Sequence, residues 1–220
     1  MKTSAFLAMV VVLLVGHSTA LASGVAIGIR PLNTIGVTGE LTTATLFHDN
    51  LNARAGFNFF SYKDHGTVVI NDEKIGYDAG IQLNSILLSI DWHPGGNNFR
   101  VVPGLYYNLN DLSADVYPTE TVTSGSLELE PDELGMVTAK LDYPDFAPYL
   151  GIGWGNAIQD GKRIRFAFDL GLLYLQSPTV KLNATELLSP TVEQADDITR
   201  KMRDYKFWLV LSVGVSFRLL

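Results

Sequence analysis

The sequence predicts an all-β fold, an eight-stranded antiparallel transmembrane up-and-down β-barrel. Large apolar residues alternate with small or polar ones in nearly every segment of the 220-residue chain, and strands, unlike helices, sort side chains with a period of two. Short and long connections alternate, as they do in membrane barrels. An eight-stranded barrel has room inside only for a filling of side chains. The face rich in glycine, alanine and serine is therefore predicted to point inward, and the bulky apolar face to contact lipid.

Residues 1–22 are predicted to be a signal peptide that is removed on export. Lys2 precedes the apolar run AFLAMVVVLLV, and Ala20-Leu21-Ala22 matches an A-x-A cleavage site. A membrane anchor is the alternative, but the run is shorter than the roughly 20 residues that a spanning helix needs. The mature barrel domain is therefore expected to cover residues 23–220.

The first half of the mature chain supplies four predicted strands. Residues 24–30 place valine and isoleucine at every second position. They are fewer than the roughly nine to eleven residues of a spanning strand, but the chain must cross once before the next strand returns. Residues 34–45 and 51–62 alternate apolar with small or polar residues, and 77–92 does so clearly only in its second part.

The second half supplies four more strands with clearer patterns. In 99–110 and 142–155 large apolar residues oppose glycine, tyrosine, asparagine and one arginine. The pattern is strongest in 163–175, where Ile, Phe, Leu and Tyr oppose Arg, Ala, Asp and Gly, and it returns in 205–219. With eight strands, both ends of the chain lie on the same side of the membrane.

The connections predict which side faces outward. Short turns are expected at 47–50, 94–98 and 156–161, and longer loops at 63–76, 111–137 and 176–202. Outer-membrane barrels have short periplasmic turns and longer extracellular loops. In the last loop Ser189 is a candidate helix cap and Pro190 suits the first helical position, so a short helix is predicted there.

Aromatic residues near the strand ends favour a membrane barrel over a soluble carrier with an apolar interior, which alternation alone would also fit. Membrane barrels carry aromatic girdles at both interfaces. The candidate girdle residues are Trp92, Trp154 and Phe217 near the short turns, and Tyr174 and Tyr205 near the long loops.

Charged residues on the inward face are predicted to form a salt-bridged plug near the short turns, because an isolated buried charge costs several kcal/mol. The candidates are Glu40, Arg54, Asp91, Arg100, Arg165, Asp169 and Arg218. The open alternative is a narrow gated pore lined by the same charges.

Two prolines mark a possible lateral opening. Pro103 and Pro148 lie on consecutive strands, and neither can donate a hydrogen bond to a barrel ladder. The strands 99–110 and 142–155 are therefore expected to be locally bulged or parted, which would admit a lipid or an apolar molecule sideways, and a bulge without function is the alternative.

Other chemistry finds little support in the sequence. The chain has no cysteine, which excludes disulfides and thiolate metal sites, and its formal charge of −7 without basic clusters argues against nucleic acid. His48, His65 and His93 lie in no catalytic motif, so no catalytic residue, cofactor or metal ligand is assigned. An acidic stretch within 111–135 favours a solvated loop over a divalent-cation site.

Six segments resemble a family of small, mostly uncharacterised outer-membrane barrel proteins of Gram-negative bacteria, of the OmpA/OmpW-like eight-stranded type. They are NARAGFNFFSY, LLSIDWHPGGNNFR, GLYYN, FAPYLGIGWGN, FDLGLLYLQSPTV and the closing strand. The final SVGVSFRLL resembles the signal that the barrel-assembly machinery reads, although it ends in Leu219-Leu220 instead of phenylalanine. The resemblance implies an outer-membrane location and implies no activity.

The expected function is a non-enzymatic one, structural or based on surface interactions. Outer-membrane lipids and lipopolysaccharide are the expected partners, together with the assembly machinery, while no extracellular partner is identified. A small channel or lateral conduit for small or apolar solutes is the first alternative. A lipid-modifying enzyme, with His65 as the histidine nearest the outer leaflet, is the second.

Overall fold

The computed structural model describes residues 24–44, 50–70, 73–124, 127–159 and 161–219. The predicted signal peptide, its cleavage site and His48 lie outside these ranges, as does most of the predicted turn at 47–50.

The described strands, in chain order, are β1 (Val25–Asn33), β2 (Val37–Ala44), β3 (Leu51–Ile70), β4 (Glu73–Trp92), β5 (Phe99–Asn108), β6 (Asp111–Pro118), β7 (Val122–Ser124), β8 (Leu127–Leu129), β9 (Val137–Asp142), β10 (Phe146–Trp154), β11 (Ile164–Tyr174), β12 (Thr179–Ala184) and β13 (Phe207–Arg218). Eight of them, β1 to β5 with β10, β11 and β13, close an antiparallel barrel in which β13 pairs with β1. The predicted fold class is confirmed.

The first strand is longer than the sequence indicated. β1 continues through Pro31 to Asn33, and its register with β13 shifts between Ile29 and Leu32. Proline cannot donate to a ladder, and such a residue is accommodated at a bulge. The irregularity at Pro31 thus gives β1 nine residues, which is enough for a spanning strand.

The predicted long loops are largely strands. β3 and β4 continue as a hairpin of 20 residues each, and β6, β9 and β12 prolong β5, β10 and β11 after short breaks. Together they form a five-stranded sheet in the order β12-β9-β6-β4-β3 beyond one end of the barrel. We call this end the sheet end, and the opposite end, where the short turns lie, the turn end. The prediction of loops at 63–76 and within 111–137 was therefore wrong.

Helical residues occupy two connections. A four-residue helix α1 (Pro131–Leu134) lies between β8 and β9, and a 3-10 helix (Glu186–Gln194) leads into α2 (Ala195–Met202) before β13. Ser189 does not cap α2, because it lies inside the 3-10 helix and donates to the carbonyl of Glu186 at 2.6 Å. The last-loop helix is present, with a different start.

The outer wall of the barrel is apolar. All outward residues of β11, from Ile164 to Tyr174, are exposed. With a rise of about 3.3 Å per residue and a tilt of about 40°, these 11 residues give a band about 25 Å tall, as expected of a membrane barrel. No helix among the described residues is long and apolar enough to cross a membrane.

The five predicted girdle residues are all exposed. Trp92, Trp154 and Phe217 lie on the outer wall near the turn end. Tyr174 ends β11 at the sheet end, and Tyr205 precedes β13 on the same side.

Candidate functional site

The lower lumen, which we define as the half nearer the turn end, is filled by six charged side chains. Three are arginines and three are acids, so the group carries no net charge. The members of this ion cluster are Arg30, Glu40, Arg54, Asp91, Arg100 and Asp169, and each is at most 8% exposed. They come from the inner faces of β1, β2, β3, β4, β5 and β11, so the cluster spans the lumen.

Asp169 is the centre of the ion cluster because it contacts all three arginines. It pairs with Arg30, lies 3.3 Å from a terminal nitrogen of Arg54, and lies 2.7 Å from Nη2 of Arg100. A carboxylate that accepts from several guanidinium groups is strongly held in place. The position of Asp169 on β11 therefore ties that strand to β1, β3 and β5.

The other two acids complete the balance. Glu40 accepts hydrogen bonds from Arg30 Nε at 2.6 Å and from Arg54 Nη1 at 3.4 Å. Asp91 Oδ1 lies 3.0 Å from Arg54 Nη2, close enough for an ion pair although without hydrogen-bond geometry. Every charge in the group thus has an opposite charge within reach, which is what burial of ions requires.

Glycines on the inner face provide the space for these side chains. A Cβ atom at Gly153 would lie 2.2 Å from Asp169 Oδ1 and 2.8 Å from Arg100 Nε. A Cβ atom at Gly171 would meet the ring of Tyr149 at 2.5 Å. The alternating glycines of β10 and β11 therefore accommodate the contents of a narrow lumen.

The structure brings five of the seven predicted lumen charges together and adds one that the sequence analysis missed. Arg165 lies four residues nearer the turn end than Asp169, where it donates to the side chain and carbonyl of Gln159 at 3.1 and 3.0 Å. Arg218 ends β13 at the same rim and is partly exposed. Arg30 was missed because the first strand was predicted to end there. Its alternation with Ala26 and Gly28 was the available signal.

A polar network closes the lumen at the turn end. His93 is 1% exposed, and its Nδ1 lies 2.9 Å from the carbonyl oxygen of Asn97 and 3.1 Å from that of Phe99. Nδ1 must therefore carry the proton, and Nε2 accepts from Asn52 Nδ2 at 3.3 Å. Burial lowers the pKa of His93, so the network holds a neutral imidazole.

Above the ion cluster, a buried apolar layer lies beside the hydrogen-bonded side chains of Thr38, Asn58 and Ser85. Tyr106 and Tyr149 stack edge to face with ring centroids 5.5 Å apart. They belong to a buried group that includes Leu87, Val102 and Val210. This apolar layer separates the ion cluster from the wider mouth at the sheet end.

The strands that carry the two prolines stay paired with each other. β5 and β10 pair without a break, including Pro148 opposite Leu105 and Leu150 opposite Pro103. The lateral opening itself stays a prediction. Each strand is interrupted along its other edge. The β4–β5 ladder has no pairs between Ser89↔Gly104 and Trp92↔Val101, beside Pro103, and the β10–β11 ladder begins one residue after Pro148.

The remaining candidate groups lie apart from one another. His65 is exposed on β3, where its backbone N–H donates to the side chain of Asp64. In the acidic stretch Glu120 pairs with Lys74, and Asp115 accepts from Thr138 at 2.6 Å. Within the described ranges no three histidine or acidic side chains are close enough to hold a metal ion.

Comparison with solved structures finds similar chains. CarO from Acinetobacter baumannii matches with a TM-score of 0.52 at 22% identity, over 88% of this chain and 96% of that one. CarO2 from the same organism gives 0.56 at 21%, over 90% and 99%. A major outer membrane protein from Thermus thermophilus gives 0.49 at 16%, over 90% and 100%.

The likeness to the two CarO structures shows the fold of this chain, a closed eight-stranded barrel. The resemblance to small Gram-negative outer-membrane barrels is thereby confirmed at the level of fold. Neither a protein-family model nor a curated protein sequence matches the chain significantly.

Proposed function

We propose that this protein is an exported outer-membrane barrel with a permanently closed lumen and a non-enzymatic role at the cell surface. The sheet end would face outward and the turn end the periplasm, as in barrels with short periplasmic turns. The exposed apolar band supports a position in lipid, because such a surface is tolerable only there. A mature chain that folds as a soluble monomer without detergent would contradict the location.

The ion cluster is the observation that supports a closed lumen. Six charged side chains fill the lower lumen with three cations and three anions, each paired and nearly inaccessible to solvent. Above it Tyr106 and Tyr149 cover the centre, and below it His93 closes the turn end. A conducting path would have to break several buried ion pairs, each costly to separate.

Single-channel recording in planar bilayers tests the closed lumen. We expect the full mature chain to give no reproducible conductance. The double variant Arg54→Ala with Asp91→Ala removes one cation and one anion, so it leaves the other four charges balanced while it empties part of the lumen. We expect discrete openings from this variant, and its folding can be checked by heat-dependent mobility in gels.

The runner-up is a small channel, and the same recording distinguishes the two. A steady wild-type conductance that disappears in Arg100→Gln or Asp91→Asn would overturn the closed lumen and favour a charge-lined pore. A lateral conduit would have to open beside Pro103, where the β4–β5 ladder is interrupted, because β5 and β10 are paired along nine residues.

The proposed role is carried by contacts at the sheet end. Residues 61–70 of β3 pair only with β4 in the described part of the chain, since β2 reaches no further than Phe59. A strand edge with free backbone groups is a surface on which other chains pair. Val68, Val69 and Ile70 are exposed there, which supports interaction with an extracellular partner or with lipopolysaccharide.

The folding partner would be the barrel-assembly machinery. β13 is the closing strand and carries the sequence that resembles the assembly signal. We propose that this strand is recognised before it pairs with β1.

An enzyme is the least supported alternative. The imidazole of His93 donates to backbone carbonyl oxygens at the turn end, and His65 is exposed on β3 in the five-stranded sheet. Mass spectrometry of outer-membrane lipids tests it, with the wild-type gene compared with His65→Ala and with a deletion. A lipid product that depends on His65 would overturn the non-enzymatic proposal.

A further inference from the structure

The upper lumen, which we define as the half nearer the sheet end, contains a cavity of about 230 Å³. Apolar and aromatic side chains from several segments supply most of its wall. The large side chains among them are Phe60, Leu83, Tyr143, Leu173, Leu175 and Trp208. The cavity is distinct from the ion cluster, none of whose members lines it.

We call this space the mouth cavity, and buried apolar side chains close it on the side that faces the ion cluster. Leu87, Tyr106 and Val210 are at most 5% exposed and belong to the buried apolar layer beneath it. A molecule that enters from the sheet end would therefore stop above this layer. The cavity has the form of a binding site and not of a passage.

The chemistry of the wall excludes charged ligands. Every lining residue is uncharged, so an ionic group would lose its hydration without gaining a counter-charge. Among the polar lining residues, Ser85 and Asn108 hydrogen-bond to other groups of the protein, and Asn110 and Tyr143 complete the polar part of the wall. Burial raises the pKa of Tyr143, so its hydroxyl keeps its proton and can donate one hydrogen bond.

The volume sets the size of the ligand. An apolar cavity of about 150 Å³ holds one benzene molecule, so 230 Å³ is sufficient for one substituted ring or two fused rings. We propose that the mouth cavity binds a neutral aromatic molecule of one or two rings that carries a single hydroxyl or carbonyl group. This inference rests on the proposed function, since it takes the lumen to be closed beneath the site.

Equilibrium dialysis against lipid nanodiscs tests the proposal with 2-naphthol as the probe. Empty nanodiscs measure partition into lipid, and nanodiscs that contain the full mature chain measure binding above it. We expect saturable binding at one site per barrel. The anion 2-naphthoate, which has the same ring system, is expected to bind at least tenfold more weakly.

Two matched variants of β4 test whether 2-naphthol binds in the mouth cavity. Leu83→Trp fills the cavity from its wall, and Leu88→Trp makes the same change on the exposed outer face of the same strand. We expect Leu83→Trp to weaken 2-naphthol binding at least tenfold and Leu88→Trp to leave it unchanged. Should Leu83→Trp not fold, Ile81→Trp fills the same cavity nearer its opening.

The outcomes separate this inference from the closed lumen. No saturable binding, or equal binding by the Leu83→Trp and Leu88→Trp chains, overturns the cavity site whatever the conductance. Equal binding of 2-naphthoate overturns the neutral class of ligand. Specific binding by a wild-type barrel that also conducts overturns the closed lumen and leaves the cavity as a ligand site.

Discussion

The lower and upper halves of the lumen are enclosed by the same strands but filled in opposite ways. The lower half holds six charged side chains with exposures of at most 8%. The upper half has an uncharged wall around an open cavity. Charged groups fill a narrow space completely only when each is paired, whereas an apolar wall can leave space without an electrostatic penalty.

This difference assigns separate roles to the two halves. The ion cluster joins β1, β2, β3, β4, β5 and β11 across the centre and so fixes the shape of the barrel. In the upper half the hydrogen bonds of Thr38, Asn58 and Ser85 join only neighbouring strands, and the cavity leaves space for a ligand. Stability should therefore be concentrated below the Tyr106 and Tyr149 layer, and recognition above it.

The largest effect is expected from Asp169→Asn. The change leaves three buried arginines with two carboxylates, and breaking a buried ion pair from one side costs about 3–5 kcal/mol. Urea titration of the barrel in lipid vesicles measures the free energy of unfolding. Asp142→Asn is the matched control, because its pair with Lys181 is about half exposed and should cost at most about 1 kcal/mol. Similar losses in both variants would mean that water enters the lower lumen.

A matched pair of leucines on β4 compares the buried layer with the mouth directly. Leu87 is 5% exposed, and Leu83, four residues nearer the sheet end, is half-buried beside the cavity. Leu87→Ala should cost about 2–4 kcal/mol, because it leaves a hole in packed surroundings. Leu83→Ala should cost about 1 kcal/mol, since it enlarges a space that already exists. The same urea titration measures both, and a larger loss at Leu83 would reverse the assignment of roles.

A smaller loss of stability is expected when an extra methyl group is added to the lower half of the lumen. A Cβ atom in Gly153→Ala would approach Asp169, Arg100 and the carbonyl oxygen of Phe168 within 2.8 Å. Because one of these neighbours is backbone, we expect a loss of about 1–3 kcal/mol of unfolding free energy. Gly39→Ala is the control, since a Cβ atom there would have no neighbour within 4 Å. An unchanged stability in Gly153→Ala would show that the cluster has space to move.

The sequence predicted the barrel strands better than the five-stranded sheet beyond the sheet end. The reason is that the two faces of a barrel strand meet different surroundings, whereas both faces of the sheet are exposed along β3. In the barrel one face of each strand is exposed and apolar while the other is buried in the lumen, so alternation is imposed on β11 and β13 and can be detected. Residues 61–70 of β3 are almost all exposed on both faces, so no alternation is required of them. Their strand structure depends on pairing with β4, which the sequence pattern does not encode.

The residues of the candidate site could likewise be predicted only in part from the sequence. Inward charges were detectable because they interrupt faces of small residues, as Asp169 does between Ala167 and Gly171. Arg30 was not, because its strand continues past Pro31 only through the irregular register with β13. The mouth cavity was also missed. Its wall combines residues from β3, β4, β5, β6, β11 and β13 with connecting segments, and that combination exists only once the barrel has closed.

The smallest expected effect is a pH dependence that comes from the lower half alone. The pKa of His93 is lowered in the folded protein, because burial disfavours the charged ring and the positive charge of Arg100 opposes its protonation. The unfolded chain then binds more protons than the folded one once the pH falls below the ordinary histidine pKa of about 6.5. The stability that His93 contributes is present above that pH and is lost as the pH falls toward the lowered folded pKa.

Urea titrations between pH 7.5 and pH 5 measure this dependence, with a slope of at most about 1.4 kcal/mol per pH unit from one group. We expect His93→Gln to flatten the curve, while His65→Gln, the same change at an exposed position of β3, should retain the wild-type slope. No histidine or carboxylate lines the mouth cavity, so 2-naphthol binding should stay constant over this range. A slope that survives in His93→Gln, or that disappears in His65→Gln, would place the titrating group outside the turn-end network.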